Sequence, residues 1–367
     1  MKRTTKLFAA LGALAVLPLA AVAQASATTD PVGFVTITTL SNSDTIFATP
    51  LAQPEVFRGS ISTLSSTTLT ASGTPGWTPG GFVYAAGSQS NTYYVRFRTG
   101  TKAGCFYTVT ANTANTLTIN LAGDLLTGAA AGDQFAVIPY WTLGTVFPAS
   151  AVGTAFQNST NAAVRQTEIL LPNVNAVGIN PAVANTYYFS NLHWRIFVSG
   201  QSGLVLDDTV LPPDSYVIIR NKGFTGVITV MGGVVTTPQT TPVNSYASNK
   251  QDNFIALSYP VPVSLNNSGL FTSAASSTNI VRSSANAALR IDEVYVYDNT
   301  VPGINKPSTT YYYLNGAWRK FVTGGSVVDS GNDIIFQPGS GVIIRRGLDA
   351  SGPRSVNWTF TPPNILP

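Results

Sequence analysis

Few side chains of the kinds that perform catalysis are present in this chain of 367 residues. His193 is the only histidine and Cys105 is the only cysteine. A serine-type triad needs an imidazole oriented by a carboxylate beside a nucleophile, and nothing near His193 singles out such partners. A zinc site with several histidine or cysteine ligands is excluded by the same count. We therefore predict a strand or turn histidine, a small buried cysteine without a disulfide partner, and no catalytic residue.

Carboxylates leave two further chemistries open. A glycan-cleaving enzyme needs two carboxyl groups about 5 to 9 Å apart across the scissile bond, and Glu168 and Glu293 occupy matching positions in two similar segments. Duplication of a segment explains that match without catalysis. Calcium prefers six to eight oxygen ligands, and two loops are rich in them: Asp207, Asp208 and Asp214, and Asp329 with Asp333. Neither loop has the spacing of a calcium motif, so we predict solvated turns, no metal site and no cofactor.

Aromatic residues form the best candidate for a ligand site. Flat rings can stack on sugar rings, and neighbouring arginines can donate hydrogen bonds. The candidate platform consists of Tyr187, Tyr188, Trp194, Arg195, Tyr311, Tyr312, Trp318 and Arg319. Adjacent strand residues face opposite sides of a sheet, so only one tyrosine of each pair can join it. The preferred interpretation is that these rings fill the cores of two domains.

The same residues belong to an internal repeat. The segment 161–165 (NAAVR) recurs as 286–290 (NAALR), and 217–220 (VIIR) recurs as 342–345, both at a shift of 125 residues. Ordered matches at a nearly constant shift indicate duplication. We interpret residues 141–248 and 249–367 as two homologous β modules, and the pattern leaves open whether they share one core.

The remaining pattern predicts an all-β protein. Short runs rich in Val, Ile, Thr, Tyr and Phe are separated by Gly, Pro, Asn and Asp, which is typical of strands joined by turns. With few helices available for crossovers, the sheets should be antiparallel. We predict a small N-terminal β barrel or sandwich over residues 28–140, followed by two sandwich-like modules.

The N-terminus has the features of a secretory signal peptide. Lys2, Arg3 and Lys6 precede an apolar run, and small residues at Ala25 and Ala27 follow it. This order predicts a signal peptide over residues 1–27 cleaved after Ala27, with cleavage after Ala25 as the competitor. A retained membrane anchor is the alternative reading, and Pro18 within the run argues against it. The mature chain is expected outside the cell or on its surface, with the periplasm as a further location, and without a transmembrane segment.

Charge argues against a nucleic-acid partner. The net charge is +4, from 20 basic and 16 acidic residues, and three basic residues lie in the signal peptide. The mature chain therefore has 17 basic against 16 acidic residues, a balance of about +1. Binding to a phosphate backbone needs clustered cations, which this sequence lacks.

Several segments resemble a known family. They are 30–36 (DPVGFVT), 82–87 (FVYAAG), 138–144 (IPYWTLG) and 185–188 (NTYY). The chain resembles an uncharacterised family of secreted proteins from Verrucomicrobia-type bacteria. The resemblance implies export from a Gram-negative cell and supplies no activity or catalytic residue.

These observations favour a non-enzymatic structural or interaction protein of the cell surface or extracellular space. Low charge leaves strand edges less protected against pairing, so self-assembly is expected; other envelope proteins and glycans are further candidate partners. The first alternative is a carbohydrate-binding surface protein. The second is an exported glycan-cleaving enzyme that uses Asp and Glu.

Overall fold

The computed structural model describes residues 30–201, 203–272, 279–322 and 328–363. The predicted signal peptide, residues 1–27, lies outside the described residues. The regular secondary structure of the described residues consists almost entirely of β-strands, with one short helix and one 3₁₀ turn, which confirms the all-β prediction. Two strands come first: β1 (Val32–Thr39) and β2 (Ser43–Phe47).

A closed six-stranded barrel follows β2. Its strands are β3 (Phe57–Leu64), β4 (Thr68–Ala71), β5 (Tyr93–Phe97), β6 (Phe106–Asn112), β7 (Thr116–Asn120) and β8 (Gln134–Pro139). They close in the order β3-β4-β7-β6-β5-β8. Alternate side chains such as Leu69, Val95 and Phe135 point inward and are fully buried. Cys105 lies in this core, in agreement with its prediction as a small buried residue.

The chain then forms what we call the first sandwich. Its further elements are β9 (Trp141–Thr142), α1 (Leu143–Val146), a 3₁₀ turn (Ala149–Ala151), β10 (Thr167–Leu171), β11 (Asn185–Ser190), β12 (His193–Ile196), β13 (Val210–Leu211), β14 (Val217–Asn221) and β15 (Gly226–Gly233). One layer is the five-stranded sheet β12-β11-β10-β14-β2. The ribbon β1–β15 packs on it through a shared core that includes Ile37, Ile169 and Ile228.

The second sandwich has the same plan. Its strands are β16 (Gln239–Ser245), β17 (Gln251–Ala256), β18 (Val263–Ser264), β19 (Ser283–Ser284), β20 (Glu293–Val296), β21 (Thr309–Leu314), β22 (Ala317–Lys320), β23 (Ile334–Phe336), β24 (Gly341–Arg346) and β25 (Arg354–Phe360). The strands β17-β24-β20-β21 form one layer, with β22 and the parallel strand β19 beside β21. The ribbon β16–β25 covers a core that includes Val243, Val294 and Trp358.

Strands β1 and β2 take the places in the first sandwich that β16 and β17 take in the second. β1 pairs with β15 and β2 with β14, just as β16 pairs with β25 and β17 with β24. The barrel is therefore inserted between β2 and β9. This differs from the predicted boundaries, which placed β1 and β2 in the N-terminal domain and β16 in the first module. The reason is that strand partners are chosen over a separation of nearly 200 residues, which a local sequence pattern does not report.

No helix in the described ranges is long and apolar enough to cross a bilayer.

Candidate functional site

The aromatic residues of the predicted platform are all buried, and Tyr187, Trp194, Tyr311 and Trp318 lie in the cores of the two sandwiches. Trp194 is 0% and Trp318 is 2% exposed, and the four tyrosines are buried as well: Tyr187, Tyr188, Tyr311 and Tyr312. Trp194 packs among Phe147, Phe156 and Phe189. Its Nε1 donates to the carbonyl of Phe147 at 3.0 Å. These covered rings present no open face on which a sugar could stack.

The two arginines of the predicted platform donate hydrogen bonds to backbone carbonyl groups. Arg195 donates to the carbonyl oxygens of Ser190 and Gly203, at 3.1 and 2.7 Å. Arg319 donates at 3.4 Å to the carbonyl of Leu314. Each arginine therefore binds across the hairpin that carries its neighbouring tryptophan.

Glu168 and Glu293 do take corresponding places, one in each sandwich. Glu168 accepts a hydrogen bond from Arg165, and its Oε2 lies 3.2 Å from Nζ of Lys222. Burial alone would raise its pKa, but the hydrogen bonds from these two cations lower it overall. Glu293 accepts from Arg290 at 2.6 Å. Each glutamate is thus neutralised within its own sheet, as expected for a duplicated structural contact.

Three carboxylates of the acidic loops have ordinary hydrogen-bond partners. Asp207 lies 2.7 Å from Nδ1 of His193 and accepts the backbone N–H of Trp194 at 2.7 Å. Asp329 accepts the N–H of Gly331, and Asp333 accepts the hydroxyl of Tyr311. Within the described ranges, no three His, Cys, Asp or Glu side chains are grouped so as to hold a metal ion. The sequence did not reveal the partnership of His193 with Asp207.

Two aspartate–arginine pairs hold the sandwiches together. In the first, Arg220 donates to both carboxylate oxygens of Asp44, at 2.7 and 2.9 Å. The same carboxylate also accepts a hydrogen bond from the second sandwich, from the backbone N–H of Asn305 at 2.9 Å. Arg220 also donates to the side chain of Asn305 at 3.2 Å.

The second pair repeats this arrangement in reverse. Arg345 donates to Asp252 at 2.7 and 2.9 Å, and the N–H of Asn180 in the first sandwich donates to the same carboxylate at 2.7 Å. Each sandwich thus extends a loop onto the aspartate of the other. Such a reciprocal contact is the signature of an approximate two-fold relationship. We call these two pairs the clasp.

The repeat pattern of the sequence does not reveal the clasp. Arg220 and Arg345 are matched at the shift of 125, but Asp44 and Asp252 are 208 residues apart because the barrel lies between them. One signal was available: an arginine inside an apolar strand needs a carboxylate partner.

A cleft of about 620 Å³ lies where the barrel and the two sandwiches meet. The barrel contributes Phe106 and the loop 120–124, the first sandwich contributes the segment 212–215, and the second contributes the outer face of β16–β25. Its volume is within the range of about 300 to 1,000 Å³ that is usual for ligand sites, which often form between domains.

The cleft holds two carboxyl groups in contrasting states. Asp124 accepts from Lys102 at 2.8 and 3.0 Å and from the hydroxyl of Tyr107 at 2.6 Å. Burial opposes ionisation there, but these bonds lower its pKa overall. Burial raises the pKa of Asp214 to about 6, and a hydrogen bond from its own backbone N–H opposes that rise. In the described part of the chain, Asp214 has no cation partner.

The ribbon β1–β15 has an open, apolar outer face. Val32, Phe34 and Met231 are 81%, 71% and 69% exposed, and Phe34 is paired with Met231 across the ribbon. The equivalent ribbon β16–β25 is covered at one end by the barrel, where Thr240 donates to the carbonyls of Gly104 and Ala103. The same structural face is therefore polar and partly covered in one sandwich, and apolar and open in the other.

Strand β1 also has an unpaired edge. The N–H of Val234 donates to the carbonyl of Pro31 at 2.8 Å, so these two residues form a hydrogen-bonded pair. Every second residue of β1 counted from Pro31 is then bonded to β15, and the residues between them are not. The N–H groups of Phe34 and Thr36 therefore point away from β15. Among the described residues, no backbone hydrogen bond joins this outer edge to another strand.

Compared with known proteins, the chain matches no protein-family model, no curated protein and no solved structure.

Proposed function

We propose that this protein is an exported, non-enzymatic structural or interaction protein of the surface or surroundings of a Gram-negative cell. We further propose that it associates with copies of itself through strand β1. The basic and apolar N-terminal segment supports export, and the shared strand order of the two sandwiches supports an origin by duplication.

The open edge and outer face of β1 are the observation that carries self-association. β1 is eight residues long and contains neither a charged residue nor a proline. Natural edge strands are normally protected by charge, proline or a covering element, because an unprotected edge pairs with another strand. Antiparallel pairing of two β1 strands joins two ribbons into one four-stranded sheet and brings the exposed Val32 and Phe34 side chains of the two copies side by side on one face.

Two substitutions test this contact. Phe34→Lys places a charge on the exposed face, and Thr36→Pro removes an outward N–H without breaking a bond to β15. The matched control is Leu125→Lys, because Leu125 is 67% exposed on the barrel, away from the ribbon. The mass of residues 28–367 is measured by light scattering and sedimentation from low micromolar to near-millimolar concentration, with and without calcium.

We expect the parent chain and Leu125→Lys to form dimers or larger assemblies, and both β1 variants to remain monomeric. A parent chain that is monomeric throughout the range contradicts the proposal. Assembly that survives both β1 substitutions contradicts the assignment to this strand.

A second candidate function is glycan cleavage, which the two carboxyl groups of the cleft favour. Asp124 has a lowered pKa and Asp214 a raised one, and an acid and a base with separated pKa values are what this reaction uses. Release of reducing ends from a panel of polysaccharides, abolished by Asp214→Asn, is the result that would replace the non-enzymatic proposal.

A further inference from the structure

The cleft between the barrel and the two sandwiches is lined by several polar groups that no other described residue uses as hydrogen-bond partners. Four neutral side chains make no side-chain hydrogen bond to another described residue: Asn175, Asn244, Ser355 and Asn357. The hydroxyl of Ser215 is buried and also without a partner in the described ranges. Buried polar atoms are nearly always hydrogen-bonded in folded proteins, so an unpaired one beside a cavity is available to bind a ligand or water.

Asp214 extends this set of unused groups. Its carboxylate lies in the wall of the same cleft beside Ser215, and no described cation neutralises it. A carboxylate can accept hydrogen bonds at both oxygens. The cleft therefore presents acceptors from Asp214 together with mixed donors and acceptors from amides and hydroxyls.

The charge of the lining selects among ligand classes. In the described part of the chain, the residues that line the cleft include no lysine or arginine. The carboxylate of Asp124 is already paired with Lys102, so Asp214 is the single unneutralised charge among the described residues that line the cleft. A phosphate or an acidic sugar would be repelled by Asp214 and would find no lysine or arginine among the described lining residues. A tightly bound cation usually has several carboxylate ligands, and within the described ranges no three His, Cys, Asp or Glu side chains are grouped so as to hold a metal ion.

Two half-buried aromatic rings complete the lining. Phe106 lies on the barrel side and Phe254 on the side of the second sandwich. Aromatic rings provide apolar surface for the C–H face of a sugar, while amides and carboxylates bind its hydroxyl groups.

We propose that this cleft binds an uncharged oligosaccharide, with its hydroxyl groups bonded to Asp214 and to the side chains of Asn244, Ser355 and Asn357. The proposal is independent of self-association, because the cleft and strand β1 have no residue in common. The proposed ligand site includes none of the tyrosines and tryptophans of the aromatic platform that the sequence predicted.

The test measures binding of soluble tetrasaccharides to the full mature chain, residues 28–367, by calorimetry. The neutral probes are linear oligomers of glucose, mannose, galactose and xylose. A chitosan oligomer serves as the cationic probe and an oligogalacturonate as the anionic probe. The variants are Asp214→Asn and Asn357→Ala, and Asn249→Ala is the matched control, because Asn249 is exposed but does not line the cleft.

We expect at least one neutral tetrasaccharide to bind, with affinity reduced tenfold or more by Asp214→Asn and severalfold by Asn357→Ala, and unchanged by Asn249→Ala. Asn357 is exposed, so its variant keeps the test valid if Asp214→Asn disturbs folding. Absence of binding by every neutral probe, binding of the chitosan oligomer alone, or binding that neither cleft variant weakens would overturn the proposal. Each of these outcomes leaves the self-association test unaffected.

Discussion

Asp44 and Arg220 face each other on neighbouring strands and are joined by two hydrogen bonds, at 2.7 and 2.9 Å. The same carboxylate also accepts a backbone N–H from the second sandwich. One ion pair therefore acts both within a sheet and between sandwiches. The reciprocal pair, Asp252 with Arg345, makes the two halves of the clasp equivalent.

We predict that breaking the clasp is strongly destabilising. Asp252 is fully buried and Arg345 is largely buried, so Asp252→Ala leaves an uncompensated charge and should cost about 3 to 5 kcal/mol. Urea denaturation measures the loss. Lys222→Met is the control, because Lys222 is 43% exposed and its ion pair should contribute less than about 1 kcal/mol. Equal effects of the two substitutions would contradict the role of the clasp.

We predict that Trp194 contributes to stability rather than to binding. Trp194→Ala removes a fully buried ring and should cost about 3 to 5 kcal/mol. Leu204→Ala, at a residue 51% exposed in the same sandwich, should change stability by less than about 0.5 kcal/mol. Thermal and urea unfolding provide the measurement. A Trp194→Ala variant with unchanged melting and lost glycan binding would reinstate the aromatic platform.

We predict that Asp214→Asn stabilises the protein, and only at higher pH. The folded-state pKa of Asp214 is about 6, above the value of 3.8 for an unperturbed aspartate. Folding therefore favours the protonated acid, and the stability that this group contributes is complete below about pH 4 and lost as pH rises through 6. The neutral asparagine avoids that loss, so we expect a gain of about 1 to 3 kcal/mol at pH 8 and little change at pH 4.

Asp298 supplies a control of opposite sign. Its exposed carboxylate accepts the hydroxyl and the N–H of Thr300, which lower its pKa. A lowered folded-state pKa gives stability that is present above pH 4 and lost in acid. Asp298→Asn should therefore reduce stability slightly at pH 8. Urea titrations at both pH values compare the two variants, and a stabilisation by Asp214→Asn that is the same at both would refute the assigned titration.

We predict that the contact between the barrel and the second sandwich depends on Gly104. Its φ is +86°, and an added Cβ would lie 2.8 Å from both the carbonyl oxygen of Pro238 and the hydroxyl of Thr240. Gly123 has a similar φ of +91°, but no atom lies within 4 Å of the position that an added Cβ would take. Gly123→Ala should cost only the backbone strain of about 1 to 2 kcal/mol. Gly104→Ala should cost clearly more, as measured by urea denaturation. Equal losses of stability in the two variants would show that the contact adjusts to the added methyl group without a loss of stability.

Local pattern was sufficient for much of the fold. The alternation in residues 116–120 (TLTIN) predicts a strand with Leu117 and Ile119 facing inward, and both are buried in the barrel. Burial of Trp194 and Trp318 follows the preferred reading of the aromatic residues as core. The candidate site was far harder to predict from the sequence. Asp214 was noticed only as a loop carboxylate, and Asn244 and Asn357 gave no signal, because their importance depends on residues from three separate regions.

The sequence by itself determined that the chain forms short antiparallel strands and which side chains of a strand face the core. Both properties depend on neighbouring residues, since side chains alternate along a strand and β-branched and aromatic residues suit a pleated, half-buried surface. Tertiary structure alone decided that β1 and β2 pair with β15 and β14, that the barrel is inserted between β2 and β9, and that the clasp and the cleft exist. The backbone hydrogen-bonding groups of all strands are alike, so the choice of partner depends on packing between residues far apart in the chain.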